Sequence, residues 1–145
     1  MVNSNQTVQG GIVMTKRKAY LYMRGNSSGN INTQKKVAED YCVKNNLLIS
    51  ELFTDIGYSG LCYDREGLNH MLSLINNGTT NVDALLLPSY NRLGRDTFGN
   101  LELLLNITKS VKEVILVDVE KEINHKSLLQ PAFHLISLES APIKN

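Results

Sequence analysis

Val82-Asp83-Ala84-Leu85-Leu86-Leu87-Pro88-Ser89-Tyr90-Asn91-Arg92-Leu93-Gly94-Arg95-Asp96 is an apolar run that stops at a proline and leads, through an R-x-x-R pair, into an amphipathic stretch beginning near Thr97. The run Val82 to Leu87 is the most apolar in the chain, which predicts a strand at the centre of a sheet. Pro88 has no N–H to give the ladder and ends it. Phe98, Leu101, Leu104, Leu105 and Thr108 recur at helical spacing and predict a helix over Thr97 to Val111. The arginines therefore sit where a strand hands over to a helix. At such a junction the first helical N–H groups are unpaired and the macrodipole is positive, and a guanidinium adds a planar fork for phosphate oxygens. An isolated R-x-x-R is more often a solvated surface pair, so the weight falls on what accompanies it.

Upstream, Ala19-Tyr20-Leu21-Tyr22-Met23 predicts the first strand, and Arg24 to Thr33 reads as a polar loop dense in Gly, Asn and Ser. Gln34, Val37, Ala38, Tyr41 and Cys42 predict a helix from Gln34 to Asn45, with Thr33 or Asn32 as its cap. Leu47-Leu48-Ile49 and Leu52-Phe53 predict a second strand. It ends in the loop Asp55-Ile56-Gly57-Tyr58-Ser59-Gly60, which Arg65 closes. Leu68, Met71, Leu72 and Ile75 predict a helix from Leu68 to Asn76 that stops near Asn77-Gly78. Val114 to Val117 predicts a fourth strand, and Ser127 to Ser140 could begin another helix, limited by Pro131 and Pro142. Strands alternating with helices define an α/β fold with a largely parallel, four- to five-stranded sheet flanked by helices. Ligands of such sheets bind outside the carboxyl ends of the strands. The loops on that edge carry Arg24, Ser27, Asp55, Arg65, Arg92 and Arg95.

At 145 residues, 42% apolar and 20% charged, the chain suits one soluble domain. No apolar run approaches the roughly 20 residues that span a bilayer, so no membrane role is expected. Residues 1–17 are read as a flexible extension and 18–145 as the domain. Cys42 and Cys62 lack metal or secretory spacing, which points to free thiols in a cytoplasmic setting. Neither a Walker loop nor a G-x-G-x-x-G fingerprint is present, and no cofactor or metal is expected. A formal net charge of +1 supplies little non-specific attraction for duplex DNA, so any role there must rest on placed arginines or on a partner.

Phe53-Thr54-Asp55 through Ser59-Gly60, then Asp64-Arg65-Glu66-Gly67-Leu68, then Arg92-Leu93-Gly94-Arg95-Asp96 resemble the catalytic domain of serine site-specific recombinases, the resolvase and invertase family, over roughly Ala19 to Glu120. The resemblance implies DNA strand cleavage and rejoining through a phosphoserine link, without a metal, in a homodimer or higher oligomer on double-stranded DNA, as mobile elements use. It places Arg24, Arg65, Arg92 and Arg95 against the scissile phosphate, with Gln34 and Asp55 orienting groups around it. Guanidinium groups fixed in place can meet the charge that a transferring phosphoryl group spreads over its oxygens. The chain departs from the family at the nucleophile. The pattern R-x-S would put serine where Asn26 stands, two residues after Arg24, and an amide cannot make this attack. Either the loop is shifted and Ser27 takes over, or the chain is an inactive binding or regulatory module. Asn91, where aspartate is common, is a milder change. The long helix and DNA-binding domain that follow in family members are expected to be absent from this chain, whether it is a fragment or a short relative. A small phosphorylated ligand bound at the same edge of another α/β fold is a third, weaker reading.

Overall fold

The structure, a computed structural model, describes residues 6–9, 12–78 and 81–130. Within the stretch read as an extension, β1 (Gln6–Gln9) and β2 (Ile12–Thr15) pair antiparallel as a small sheet of their own. The main sheet has five strands, β3 (Arg17–Gly25), β4 (Leu47–Ile56), β5 (Ala84–Leu87), β6 (Glu113–Leu116) and β7 (Lys121–Ile123), in the order β4-β3-β5-β6-β7. The first four are parallel, and β7 runs antiparallel to β6. β5 is central, as its apolarity requires, and all its residues are buried. It starts at Ala84 rather than Val82, which with Asp83 stays half-buried at the rim. β7 escapes a pattern reading because Lys121 and Glu122 are charged and only Ile123 is buried. Such a short, charged strand is a common way to end a sheet without inviting further pairing.

Alternate residues of β3 and β5 face opposite layers. Ala19, Leu21, Met23, Ala84 and Leu86 join one buried cluster with Ala38, Tyr41 and Cys42, on α1 (Ser28–Asn45). Tyr20, Tyr22, Leu85 and Leu87 join the other with Leu68, Met71 and Ile75 on α2 (Glu66–Asn76) and Leu104 and Ile107 on α3 (Thr97–Ile107). A strand buried on both faces reads as a continuous apolar run, which is why β5 is so visible in the sequence.

The helix starts need correction. α1 begins at Ser28, not Gln34, and its N-cap is Ser27, not Thr33 or Asn32. The Ser27 hydroxyl accepts the Asn30 N–H at 3.2 Å, and Ile31 adds an earlier buried turn to the stripe. The Gly, Asn and Ser content that suggested a loop is the composition of a capped first turn with one apolar anchor. α2 begins at Glu66, two residues early, because its cap comes from another strand. The Asp55 carboxylate accepts the Gly67 and Leu68 N–H groups at 2.7 and 2.9 Å. Gly67 is needed for that approach, since a Cβ there would lie 2.5 Å from the Thr54 carbonyl oxygen. α3 ends at Ile107 rather than Val111, with Thr108 as its cap. The short α4 (His125–Leu128) starts within two residues of the expected terminal helix, and residues 131–145 of that expectation lie outside the described residues. Among the described residues no helix is long and apolar enough to cross a membrane.

Gly67→Ala should cost about 1–3 kcal/mol in urea unfolding, because a backbone carbonyl cannot yield as a side chain would. Burial, followed by the charge of Glu39, pushes the Cys42 thiol from 9.0 up to about 11, with Lys16 opposing. The unfolded chain then releases this proton first, so the contribution is present below pH 9.0 and is lost as pH rises towards about 11. The fall of the urea midpoint across that window should be shallower in Cys42→Ala than in the native protein.

Candidate functional site

The carboxyl edge of the sheet is built around a buried polar relay. Tyr22, on β3, donates its hydroxyl proton to Asp55 on β4 at 2.8 Å and accepts from Arg65 Nη1 at 2.6 Å. Burial first, then the Asp55 hydrogen bond, raises the Tyr22 pKa, so the phenol keeps the proton that Asp55 needs. Arg65 is 0% exposed. Its remaining donors hold the carbonyls of Cys62, at 2.6 Å, and of Leu93. Its guanidinium also lies 5.8 Å from the Tyr22 ring centroid and 5.3 Å from that of Tyr63. One cation thereby ties β3, the loop before α2 and the R-x-x-R loop together. It faces carbonyls and phenols, with no surface open to a ligand.

Arg24 emerges from β3 beside this relay and reaches across to the R-x-x-R loop. It donates to the carbonyls of Asn91 (2.7 Å), Arg92 (3.2 Å) and Tyr58 (3.1 Å). The reverse strap is Arg92 Nη1 to the Arg24 carbonyl at 3.0 Å, a carbonyl that Gln34 Nε2 also holds at 2.9 Å. Gln34 is thus a buried brace for the exit of β3, and its Oε1 has no partner among the described residues. Arg92 Nε is likewise buried without a partner. Arg95 comes in from the far side of Gly60, where a Cβ would lie 2.5 Å from Arg95 Cγ and 3.0 Å from Arg24 Nη2. The Arg95 side chain is exposed and makes no hydrogen bond or ion pair among the described residues. Arg24, Arg65, Arg92 and Arg95 are therefore neighbours, and among the described residues none is ion-paired to a carboxylate. Burial first, then the charge of Arg65, with Arg92 and Arg95 adding to it and Tyr22 opposing, lowers the Arg24 pKa. A guanidinium stays protonated regardless, so this repulsion is held in the fold and an arriving anion would relieve it.

The helix ends sharpen the picture. The N-terminus of α3, beside the R-x-x-R loop, is filled by its own Asp96, whose carboxylate accepts the Gly99 N–H at 3.1 Å. That of α2 is filled by Asp55. Of these three helices α1 alone has neither a carboxylate cap nor an acidic residue in its first turn. Its first residue, Ser28, is preceded by Asn26 and the cap Ser27, both exposed, directly after Arg24 and Gly25. The positive helix end expected at the R-x-x-R junction thus stands open at the end of β3 instead.

Pattern reading missed three residues. Tyr22 was legible only as part of an apolar strand. Tyr63 and Asn100 lie in a loop and on a helix without a motif, yet the Tyr63 hydroxyl meets Asn100 Oδ1 at 2.7 Å, and Asn100 Nδ2 donates to the Gly94 carbonyl at 2.8 Å. The only signal they carried was a large aromatic residue between Gly60 and Arg65, and an amide on a helical face that is otherwise apolar.

Sheet order and edge chemistry together define a class: a parallel α/β domain that gathers arginines at its carboxyl edge in place of a glycine-rich nucleotide loop. The chain belongs to the resolvase family, matching the model described as "Resolvase, N terminal domain" over residues 19–139. Solved structures share the fold. The N-terminal catalytic domain of TP901-1 integrase is 23% identical with a TM-score of 0.65, over 73% of this chain and 81% of that one. A resolvase family site-specific recombinase from Streptococcus pneumoniae is 24% identical with a TM-score of 0.62, over 74% and 76%. The C-terminal catalytic domain of ISC1926 TnpA, an IS607-like serine recombinase, is 26% identical with a TM-score of 0.60, over 69% of each chain. No curated protein sequence matches the chain.

The arginines should separate by substitution. Arg65→Ala strips a buried charge network and should cost about 3–5 kcal/mol of stability. Arg95→Ala touches no bonded group and should shift stability by no more than about 0.5 kcal/mol, while weakening the binding of inorganic phosphate followed by calorimetry.

Proposed function

We propose that this chain serves in site-specific DNA recombination by binding a phosphodiester of duplex DNA at Arg24, Arg92 and Arg95 and cleaving it with the Ser27 hydroxyl. The observation that carries the reading is the group of neighbouring guanidiniums without carboxylate partners, beside the open N-terminus of α1 where Ser27 stands. Guanidinium and helix-end N–H groups fixed before the phosphate arrives would meet the charge of the transition state without reorganisation. In the step itself a bond forms between Ser27 Oγ and phosphorus, and one phosphorus–oxygen bond to deoxyribose breaks. The serine proton leaves to solvent, and the released sugar oxygen takes up a proton. Rejoining is the reverse attack by a sugar hydroxyl. Arg65, Gln34 and Asp55 support the site from beneath rather than touch the phosphate. Recombination joins two duplexes, so the reading includes assembly of at least a dimer on DNA.

A second reading rests on the cap. Ser27 Oγ is engaged by the Asn30 N–H, and Asn26 occupies the position two residues after Arg24. In this form the domain binds DNA phosphate without cutting. The test fuses the chain to a DNA-binding domain of known site and looks for a covalent protein–DNA adduct on supercoiled DNA carrying matching sites. Adduct that disappears with Ser27→Ala supports the cleaving form. If the native chain gives none and Asn26→Ser restores it, the non-cleaving form stands. No retention of DNA by any variant, beyond the fused domain's own, would sink both.

A further inference from the structure

Arg95 offers the least encumbered guanidinium of the cluster, yet its backbone is pinned on every side. Its own N–H donates to the Gly60 carbonyl at 2.8 Å. The peptide before it is held through the Gly94 carbonyl, which accepts from Asn100 Nδ2 at 2.8 Å. The peptide after it is held through the Asp96 N–H, which donates to the Tyr63 hydroxyl at 3.2 Å. That hydroxyl has one proton and spends it on Asn100 Oδ1 at 2.7 Å, the shortest of its contacts. Tyr63, Asn100, Gly94, Arg95 and Asp96 therefore form a closed ring of covalent and hydrogen bonds with Arg95 at its apex.

The ring is tightly fitted. A Cβ on Gly94 would lie 2.2 Å from the Tyr63 hydroxyl oxygen, and one on Gly99 would lie 3.0 Å from the Tyr63 ring, so both glycines make room for this phenol. Asn100 is 0% exposed and spends both ends of its amide in the circuit. The guanidinium of Arg65 lies 5.3 Å from the Tyr63 ring centroid, which joins the circuit to the buried relay. A loop that needed only to connect β5 to α3 would not require a fully buried amide and a half-buried phenol for this. A long, flexible side chain that must meet a phosphate in one geometry gains most from a fixed Cα, because less freedom is left to lose on binding.

We propose that Tyr63 and Asn100 are positioning residues that preset Arg95 for a DNA phosphate. The ligand named here rests on the function proposed above, whereas the ring itself does not. The probe is inorganic phosphate, titrated into the full chain, with amide hydrogen exchange at Arg95 and Asp96 measured in parallel. Tyr63→Phe keeps the ring and removes the hydroxyl; Asn100→Leu keeps the volume and removes the amide. Each should speed exchange at Asp96 and weaken phosphate binding roughly fivefold, the scale of one or two modest hydrogen bonds. The double variant should be little worse than either single one, since both open the same circuit. In an Arg95→Ala background, Tyr63→Phe should have no further effect on phosphate affinity, because it acts through Arg95. Equal losses with and without Arg95 would assign Tyr63 a general structural role and overturn the proposal, as would unchanged exchange at Asp96 in Tyr63→Phe. A native chain that binds no phosphate would overturn the recombination reading and the ligand named here, while exchange at Asp96 would still decide whether the ring holds the loop.

Discussion

A fully buried guanidinium is the constraint on which this fold turns. Arg65 cannot be left unsolvated, and no carboxylate touches it directly among the described residues; its charge is answered by three carbonyls, those of Cys62, Arg92 and Leu93, and a phenol. Through that phenol it is coupled to Asp55, which lies at the start of α2. A charge buried in this way is stable only while every partner is in place, because losing one leaves the rest uncompensated. Strand β3 and the loops after β4 and β5 are consequently fixed to one another before any ligand arrives.

What the relay holds in place is a set of positive charges that repel one another. Arg24 and Arg92 clasp each other's carbonyls, and Arg95 leans over Gly60 towards Arg24. Near-neutral net charge and a local excess of arginine are compatible because the excess is confined to one edge of the sheet. With a formal net charge of +1, any attraction for an anion would come from placement rather than from overall charge. Ser27 serves the same edge as the cap of the one major helix whose N-terminus carries no carboxylate. A cap bond of this kind is weak, so the Ser27 hydroxyl can be released from Asn30 at little cost.

The α/β class, the centrality of β5 and the presence of three long helices were legible in the sequence, since each rests on local periodicity: continuous apolarity for a strand buried on both faces, a stripe at helical spacing for a helix packed on one. The four arginines Arg24, Arg65, Arg92 and Arg95 and their accompanying motifs were legible too, because their order along the chain follows the order of the strand ends. Where each helix starts was not. Ser27 caps α1 by a local bond in a stretch whose composition also suits a loop, and α2 is capped by a residue on a strand eleven positions earlier than its first helical residue, Glu66.

Only the tertiary structure decided which arginines could meet a ligand. Arg65 and Arg95 are equivalent as letters in adjoining motifs, yet one is enclosed by Tyr22, Tyr63 and two loops and the other is exposed. The same holds for Tyr63 and Asn100, whose partnership spans 37 positions of sequence and leaves no local pattern. Periodicity and spacing determine what a residue's neighbours along the chain can build. Burial and the closing of hydrogen-bond circuits depend on segments distant in sequence, and they exist only once the sheet has brought its carboxyl ends together.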